Sequence, residues 1–210
     1  QLKSLSIRNS YTTKVILPND ENIHIELPEY AFANNLYDFI GFSGNASLYI
    51  TGPGTFQNCP RLNLYQVNDN DRDTNGSYTG KINDRVTEAP LNLYIDSTCK
   101  SLASTFACNS KHTGKIMTFD QAKSFLEKCT EECVSQVTDI SSMFEYQTNI
   151  TYDKDMALDE YQKKECSLSF KNFIKCSNFD NVFKNTKLGF INRYMFGGNF
   201  ARDVDSLKYN

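Results

Sequence analysis

A change of hydrophobic period near residue 117 constrains this chain more than any other feature. Before it, apolar residues alternate with polar ones, as in Ile23, Ile25 and Leu27 around His24 and Glu26. Such a run is a half-buried strand. Similar runs occur at 4–7, 13–17, 47–50, 62–65 and 91–95, separated by clusters of Pro, Gly, Asn and Asp. Short strands at that spacing predict a sandwich or barrel over residues 1–116. The tetrapeptide Leu-Asn-Leu-Tyr occurs at 62–65 and again at 91–94, too little to establish a repeat.

After Thr118 the spacing becomes three to four. Thr118 and Gln121 form a capping-box pair, and Ala122, Leu126, Cys129, Cys133, Val137, Ile140 and Phe144 then share one helical face. This predicts a helix of about seven turns. A second helix, started by Asp153 and Asp155 and running to about Cys176, would complete an antiparallel hairpin over 117–178. Residues 179–210, with Gly189, Gly197 and Gly198 among aromatics, read as an irregular segment that docks on the rest. The expected fold is therefore α+β: a strand-rich sandwich or barrel-like part followed by a disulfide-stapled helical hairpin.

Seven cysteines form no Cys-x-x-Cys pair and no zinc spacing. Three sequons, at Asn45, Asn75 and Asn149, join the chain's initial Gln1 in pointing to a secreted glycoprotein. In that compartment disulfides are expected. Cys129 and Cys133 share the predicted helix face and would reach Cys176 and Cys166 in a nested hairpin. Ten helical residues span roughly 15 Å and four about 6 Å, so both bonds require a break in the second helix. Cys99 and Cys108 would close a short loop, which leaves Cys59 unpaired or available for an intermolecular bridge.

Asp71, Asp73 and Asn75, followed by Gly76, match the first half of a calcium loop, but the closing position is Ile82 rather than a bidentate Glu. Ca2+ is the one cofactor this pattern suggests, and a hairpin turn at Asn75-Gly76 is the alternative. His24 and His112 are the available groups for proton transfer near neutrality, which gives a nuclease-like hydrolase as a rival function. A secreted toxin or effector is another. No nucleophile elbow or metalloprotease helix occurs.

The net charge of -3 gives no reason to expect nucleic acid as a partner, and no apolar run is long enough for a membrane span. Charge is nevertheless uneven, since residues 163–193 carry seven Lys and Arg against Glu165 and Asp180. Opposed ends of this kind favour head-to-tail contact between copies. Phe190, Tyr194, Phe196 and Phe200 form a further aromatic cluster, adhesive if exposed. The function expected from these features is non-catalytic: a structural, adhesive or interaction subunit of an extracellular assembly, with protein partners and self-association.

Overall fold

The computed structural model describes residues 3–12, 14–36, 40–67, 86–151, 168–189, 191 and 193–196. Among these residues seven short strands form two walls, alternating between them from β1 to β5. One sheet has the order β1 (Lys14–Ile16), β3 (Ile40–Ser43), β5 (Leu62–Val67), β6 (Val86–Pro90), and the other β2 (His24–Leu27), β4 (Ser47–Ile50), β7 (Leu93–Ile95). Pairing is parallel except between β5 and β6. Ile25 lies beside Leu48 and Leu48 beside Leu93, so consecutive passages of the chain stack in register. The chain is thus a solenoid of parallel coils.

What repeats is the corner of each coil. Phe32, Phe56, Phe106, Phe144 and Phe183 occupy corresponding places, because Phe32 N–H donates to Thr55 O, Phe56 to Thr105, Phe106 to Met143 and Phe144 to Val182. Their rings stack along the axis at centroid distances of 5.5, 5.8, 5.5 and 5.8 Å, none tilted by more than 11°. The rings of Phe32, Phe106, Phe144 and Phe183 each sit in the second of two successive i to i+3 turns, such as Thr105 to Leu102 and Ala107 to Ser104, and at Phe56 the Thr55 hydroxyl replaces the first backbone bond by donating to Gly52 O. Two residues before each ring the backbone is left-handed, at Tyr30, Gly54, Ser104, Ser142 and Asn181, with φ of 55°, 66°, 57°, 55° and 59°. Two residues after it, Asn34, Asn58, Tyr146 and Asn185 are left-handed as well.

The strand-rich part is as expected, but the sandwich or barrel and the disulfide-stapled helical hairpin are not formed. Among the described residues there is one α-helix, α1 (Phe119–Glu127), followed later by a 3-10 turn at Arg193–Phe196. Thr118 caps α1, its hydroxyl accepting from Gln121 N–H at 3.3 Å. Gln121 does not return the bond. Its amide turns inward, donating to Asn63 Oδ1 and accepting from Leu64 N–H, and so ties the helix to β5. Ala122, Phe125 and Leu126 face the core, with Phe125 edge-on to Phe106 at 4.9 Å.

The helix then stops. Its last turn holds no basic residue to meet the negative end of the dipole, and Glu127, Glu131 and Glu132 oppose continuation. Beyond it, hydrogen bonds of i to i+3 type join Val134 to Val137, Ile140 to Met143, Phe144 to Gln147 and Gln147 to Ile150. Linked turns point every third residue inward, so Val134, Val137, Ile140 and Met143 are fully buried without a helix. Phe170, Phe173 and Cys176 follow the same rule where the second helix was expected to end. The earlier part of that expectation, residues 154–167, lies outside the described residues. One buried cluster runs continuously from Val15 to Phe196.

Candidate interaction surface

The pleat of β2, β4 and β7 fixes which side chains leave the stack. Ile25, Leu27, Leu48, Ile50, Leu93 and Ile95 point inward, whereas His24, Glu26, Tyr49 and Tyr94 point out. On the outer face His24 packs on Tyr49 at 4.8 Å, Tyr49 packs on Tyr94 at 5.5 Å, and Lys128 Nζ lies 5.6 Å over the Tyr94 ring. The ammonium also donates to Leu91 O, and burial lowers its pKa. Partial burial first, then Tyr94 and Asp96, raise the Tyr49 hydroxyl above its usual value of 10. The two tyrosine rings each have a neighbour on either side along the row, tilted against the next ring by 42° at His24–Tyr49 and 31° at Tyr49–Tyr94.

Two ladders of side-chain amides run along other corners. Asn34 Nδ2 donates to Asn9 Oδ1 at 2.8 Å, Asn58 to Asn34 at 2.9 Å and Asn109 to Asn58 at 2.9 Å. Asn45 donates to Asn19 at 2.6 Å and accepts from Gln66 at 3.5 Å. Amides suit such ladders because each carries both donor and acceptor, so identical groups satisfy one another along a stack.

The cysteines require the main correction. Cys59, Cys99, Cys108, Cys129, Cys133 and Cys176 are free thiols, and Cys166 lies outside the described residues. The staples from Cys129 and Cys133 are absent, because the hairpin that would align them is not formed, and Cys99 and Cys108 close no loop, Cys99 Sγ donating to Ser101 O while Cys108 Sγ accepts from Gln147 Nε2. Cys99, Val137 and Cys176 instead occupy corresponding inward places, and both thiols donate to the carbonyl two residues on, at Ser101 and Asn178. Here cysteine acts as a small apolar residue. Cys59, expected as the unpaired or cross-linking residue, is 1% exposed and donates to Phe32 O at 3.0 Å. Burial pushes the thiols of Cys59 and Cys108 up to about 12 and those of Cys99 and Cys176 to about 11. Burial raises Cys129 too. None of these five is a ready nucleophile.

The remaining expected sites are dispersed. Asp71, Asp73 and Asn75 lie outside the described residues, among which no group of His, Cys, Asp and Glu could hold a metal. His24 belongs to the outer aromatic row. His112 sits in the turn that Asn109 holds, where Asn109 Oδ1 accepts from both Lys111 and His112 N–H. Of the sequons, Asn45 and Asn149 are exposed; Asn149 Nδ2 donates to Lys115 O. The pocket between β5, β7 and α1, lined by Leu64, Leu91, Gln121, Phe125 and Lys128 among others, has a volume of about 10 Å³, that of one water. Of the final aromatic cluster, Phe196 is buried against Phe170 and Phe179, while Phe190 and Phe200 lie outside the described residues.

The sequence reading missed the five-ring stack and the amide ladders. A recurring motif was there to be found, a phenylalanine preceded by Ala, Thr, Met or Val, but its spacings of 24, 50, 38 and 39 residues conceal the period. Among the described residues no helix is long and apolar enough to cross a membrane. No protein-family model, no curated protein and no solved structure matches this chain.

Proposed function

We propose that the chain is a non-catalytic secreted glycoprotein, a structural, adhesive or interaction subunit of an extracellular assembly. The observation that carries this reading is the organisation of the coils. Their interior is filled by phenylalanine rings, while the outside repeats the same groups from one coil to the next. A stack of this kind presents an extended surface to partners. Tyrosines beside charged residues are suited to protein contacts.

The two exposed sequons support the extracellular part. An N-linked glycan replaces one of two amide hydrogens and leaves the other, and the amides of Asn45 and Asn149 each use one in a bond to the protein. Glycosylation at either site is thus compatible with the fold.

Peptide mass spectrometry and chemical cross-linking on material from the native source test the proposal. Glycans on Asn45 or Asn149, together with cross-links to other protein chains in the extracellular fraction, are the expected result. Bare asparagines in a protein retained inside cells would overturn it.

A further inference from the structure

Just beyond the ring stack four stretches of chain lie side by side, residues 57–61, 109–115, 145–151 and 184–187. Bonds between neighbours fix their order. Asn109 Nδ2 donates to Asn58 Oδ1 and Lys115 N–H to Pro60 O, which joins the first two. Gly114 N–H donates to Tyr146 O, and Thr148 Oγ1 donates to Gly114 O at 2.9 Å, which adds the third. Tyr146 N–H donates to Lys184 O, and Thr151 is bridged to Lys187, which adds the fourth. At about 4.8 Å per coil the four together span roughly 14 Å along the axis.

This strip carries almost one sign of charge. Its bases are Arg61, Lys111, Lys115, Lys184 and Lys187, and its one acid is Glu145. Glu145 is paired with Lys184 at 3.6 Å, while the other four cations have no ion-pair partner among the described residues. Lys115 lies between buried Gly114 and Ile116, so its side chain points outward. Apart from lysines, the exposed residues of the strip are Ser110, Asn149, Thr151 and Asn185. All four both donate and accept hydrogen bonds.

What the strip lacks narrows the partner. Protein interfaces are anchored by apolar and aromatic residues, and single-stranded nucleic acid by rings on which bases stack. The strip exposes neither kind of side chain, since its two rings, His112 and Tyr146, are half-buried. A hydrated polymer with fixed anions requires no such anchor. Lysine meets a sulfate or carboxylate as a point charge, and amides and hydroxyls exchange hydrogen bonds with sugar hydroxyls.

We infer that the strip binds an anionic polysaccharide laid along the solenoid axis across the four coils. This adds a non-protein partner to the assembly role and does not depend on it. Asn149 sits within the strip, exposed, with Nδ2 donating to Lys115 O. Asn45 belongs instead to the other amide ladder, with Asn19 and Gln66. A glycan on Asn149 therefore closes the strip, whereas one on Asn45 leaves it open.

Fluorescence anisotropy of a labelled heparin oligosaccharide, titrated with the whole chain made without glycans, tests this. Affinity should fall on the order of 100-fold between 50 and 200 mM salt, as expected when five cations each release roughly 0.7 counterions from a flexible polyanion. Lys111→Gln, Lys115→Gln and Lys187→Gln together should weaken binding at least tenfold with an unchanged circular dichroism spectrum, because all three residues are exposed. Lys171→Gln with Lys175→Gln removes exposed charge that precedes the Phe183 corner, and should change affinity less than twofold. A chain carrying a glycan on Asn149 should bind at least tenfold more weakly than Asn149→Gln from the same host. No binding at 50 mM salt, equal losses in the two lysine variants, undiminished binding by the Asn149-glycosylated chain, or equal affinity for polyglutamate or single-stranded DNA would overturn the inference. If heparin binds as expected but native material is bare and retained inside cells, the glycoprotein role fails while the strip stands.

Discussion

The coils before and after Cys99 share one corner but have different walls. Before it, β2, β4 and β7 pair over three or four residues, and the wall reads as alternating apolar and polar positions. After it, the same wall shrinks to single bridges, from Ser101 to Asp139 and from Asp139 to Asn178. Side chains take over there. Ser101 Oγ, Asp139 Oδ1 and Asn178 Oδ1 each accept the N–H two residues on and so start the corner that strands start in the earlier coils. The ring stack nevertheless crosses the boundary, with Phe56 to Phe106 at 5.8 Å and Phe106 to Phe144 at 5.5 Å. The corner is therefore the conserved unit of construction, and strand pairing is one of two ways to connect it.

The largest expected effect comes from cutting the stack where the two regions meet. Phe106 is fully buried between Phe56 and Phe144 and against Phe125. Phe106→Ala should cost about 3–5 kcal/mol in a denaturant titration. Hydrogen exchange on the variant then refines the comparison. Loss of protection throughout means that both regions fold as one unit, whereas loss after Cys99 alone means that the paired strands stand independently.

Gly54 tests whether the corner's left-handed position limits stability. Its φ is 66°, and an added Cβ would collide with the Tyr30 ring lying across it. Gly54→Ala should cost at least about 1–2 kcal/mol, because the left-handed conformation alone carries that penalty for a residue with a Cβ. A smaller loss would mean that the corner can relax.

Strands were legible from sequence and the coils were not, for a physical reason seen in the later region. Alternation at His24–Leu27 follows from a pleat with one buried face, and it survives whichever way neighbouring strands run, so it reveals a strand but not parallel pairing. From Val134 to Met143 the inward positions recur every third residue because the chain makes linked turns. That spacing falls within the helical pattern and suggested a helix of seven turns, of which only Phe119–Glu127 is helical. Cysteines at Cys99 and Cys176 suggested staples, although their place in the coil asks only for a small side chain. The outward-pointing, half-buried row of Tyr49 and Tyr94 could not be foreseen, since it depends on a register between strands 45 residues apart.

Thiols provide a pH test of the same comparison, because four of the five raised ones, Cys99, Cys108, Cys129 and Cys176, belong to the later region. For Cys108 the folded value of about 12 exceeds the usual 9, so its stabilising contribution is complete below pH 9 and disappears as pH rises toward 12. Unfolding free energy should fall from pH 9 upward, and Cys108→Ala should remove about 1 kcal/mol of the fall between pH 9 and 10. Equal slopes in the two proteins would show that this thiol titrates as freely folded as unfolded. Thiol alkylation at pH 8 should be slow until the later coils open.

Asn58 joins the amide ladder of the earlier coils, donating to Asn34 and accepting from Asn109. Asn58→Ala also removes one of the residues suited to the left-handed backbone, at φ of 55°. Loss of two half-exposed bonds and that preference should lower stability by about 1–2 kcal/mol in thermal melts. Unchanged melting would make the ladder a consequence of stacking rather than a contributor to it.

The smallest expected effect has the opposite sign. Ser142 holds in the later region the place that Gly54 holds in the earlier one, with φ of 55° and no glycine to relieve it. A serine there carries about 1–2 kcal/mol of left-handed strain, and glycine would lose about 0.5–1 kcal/mol more backbone entropy on folding. The difference favours glycine, so Ser142→Gly should raise stability by up to about 1 kcal/mol and Ser104→Gly by a similar amount. A gain at both positions would mean that the later coils retain strained corners because stacking of Phe106 on Phe144 holds them there. A loss would mean that the serines fit their corners, and that the two regions differ in turn chemistry as well as in their walls.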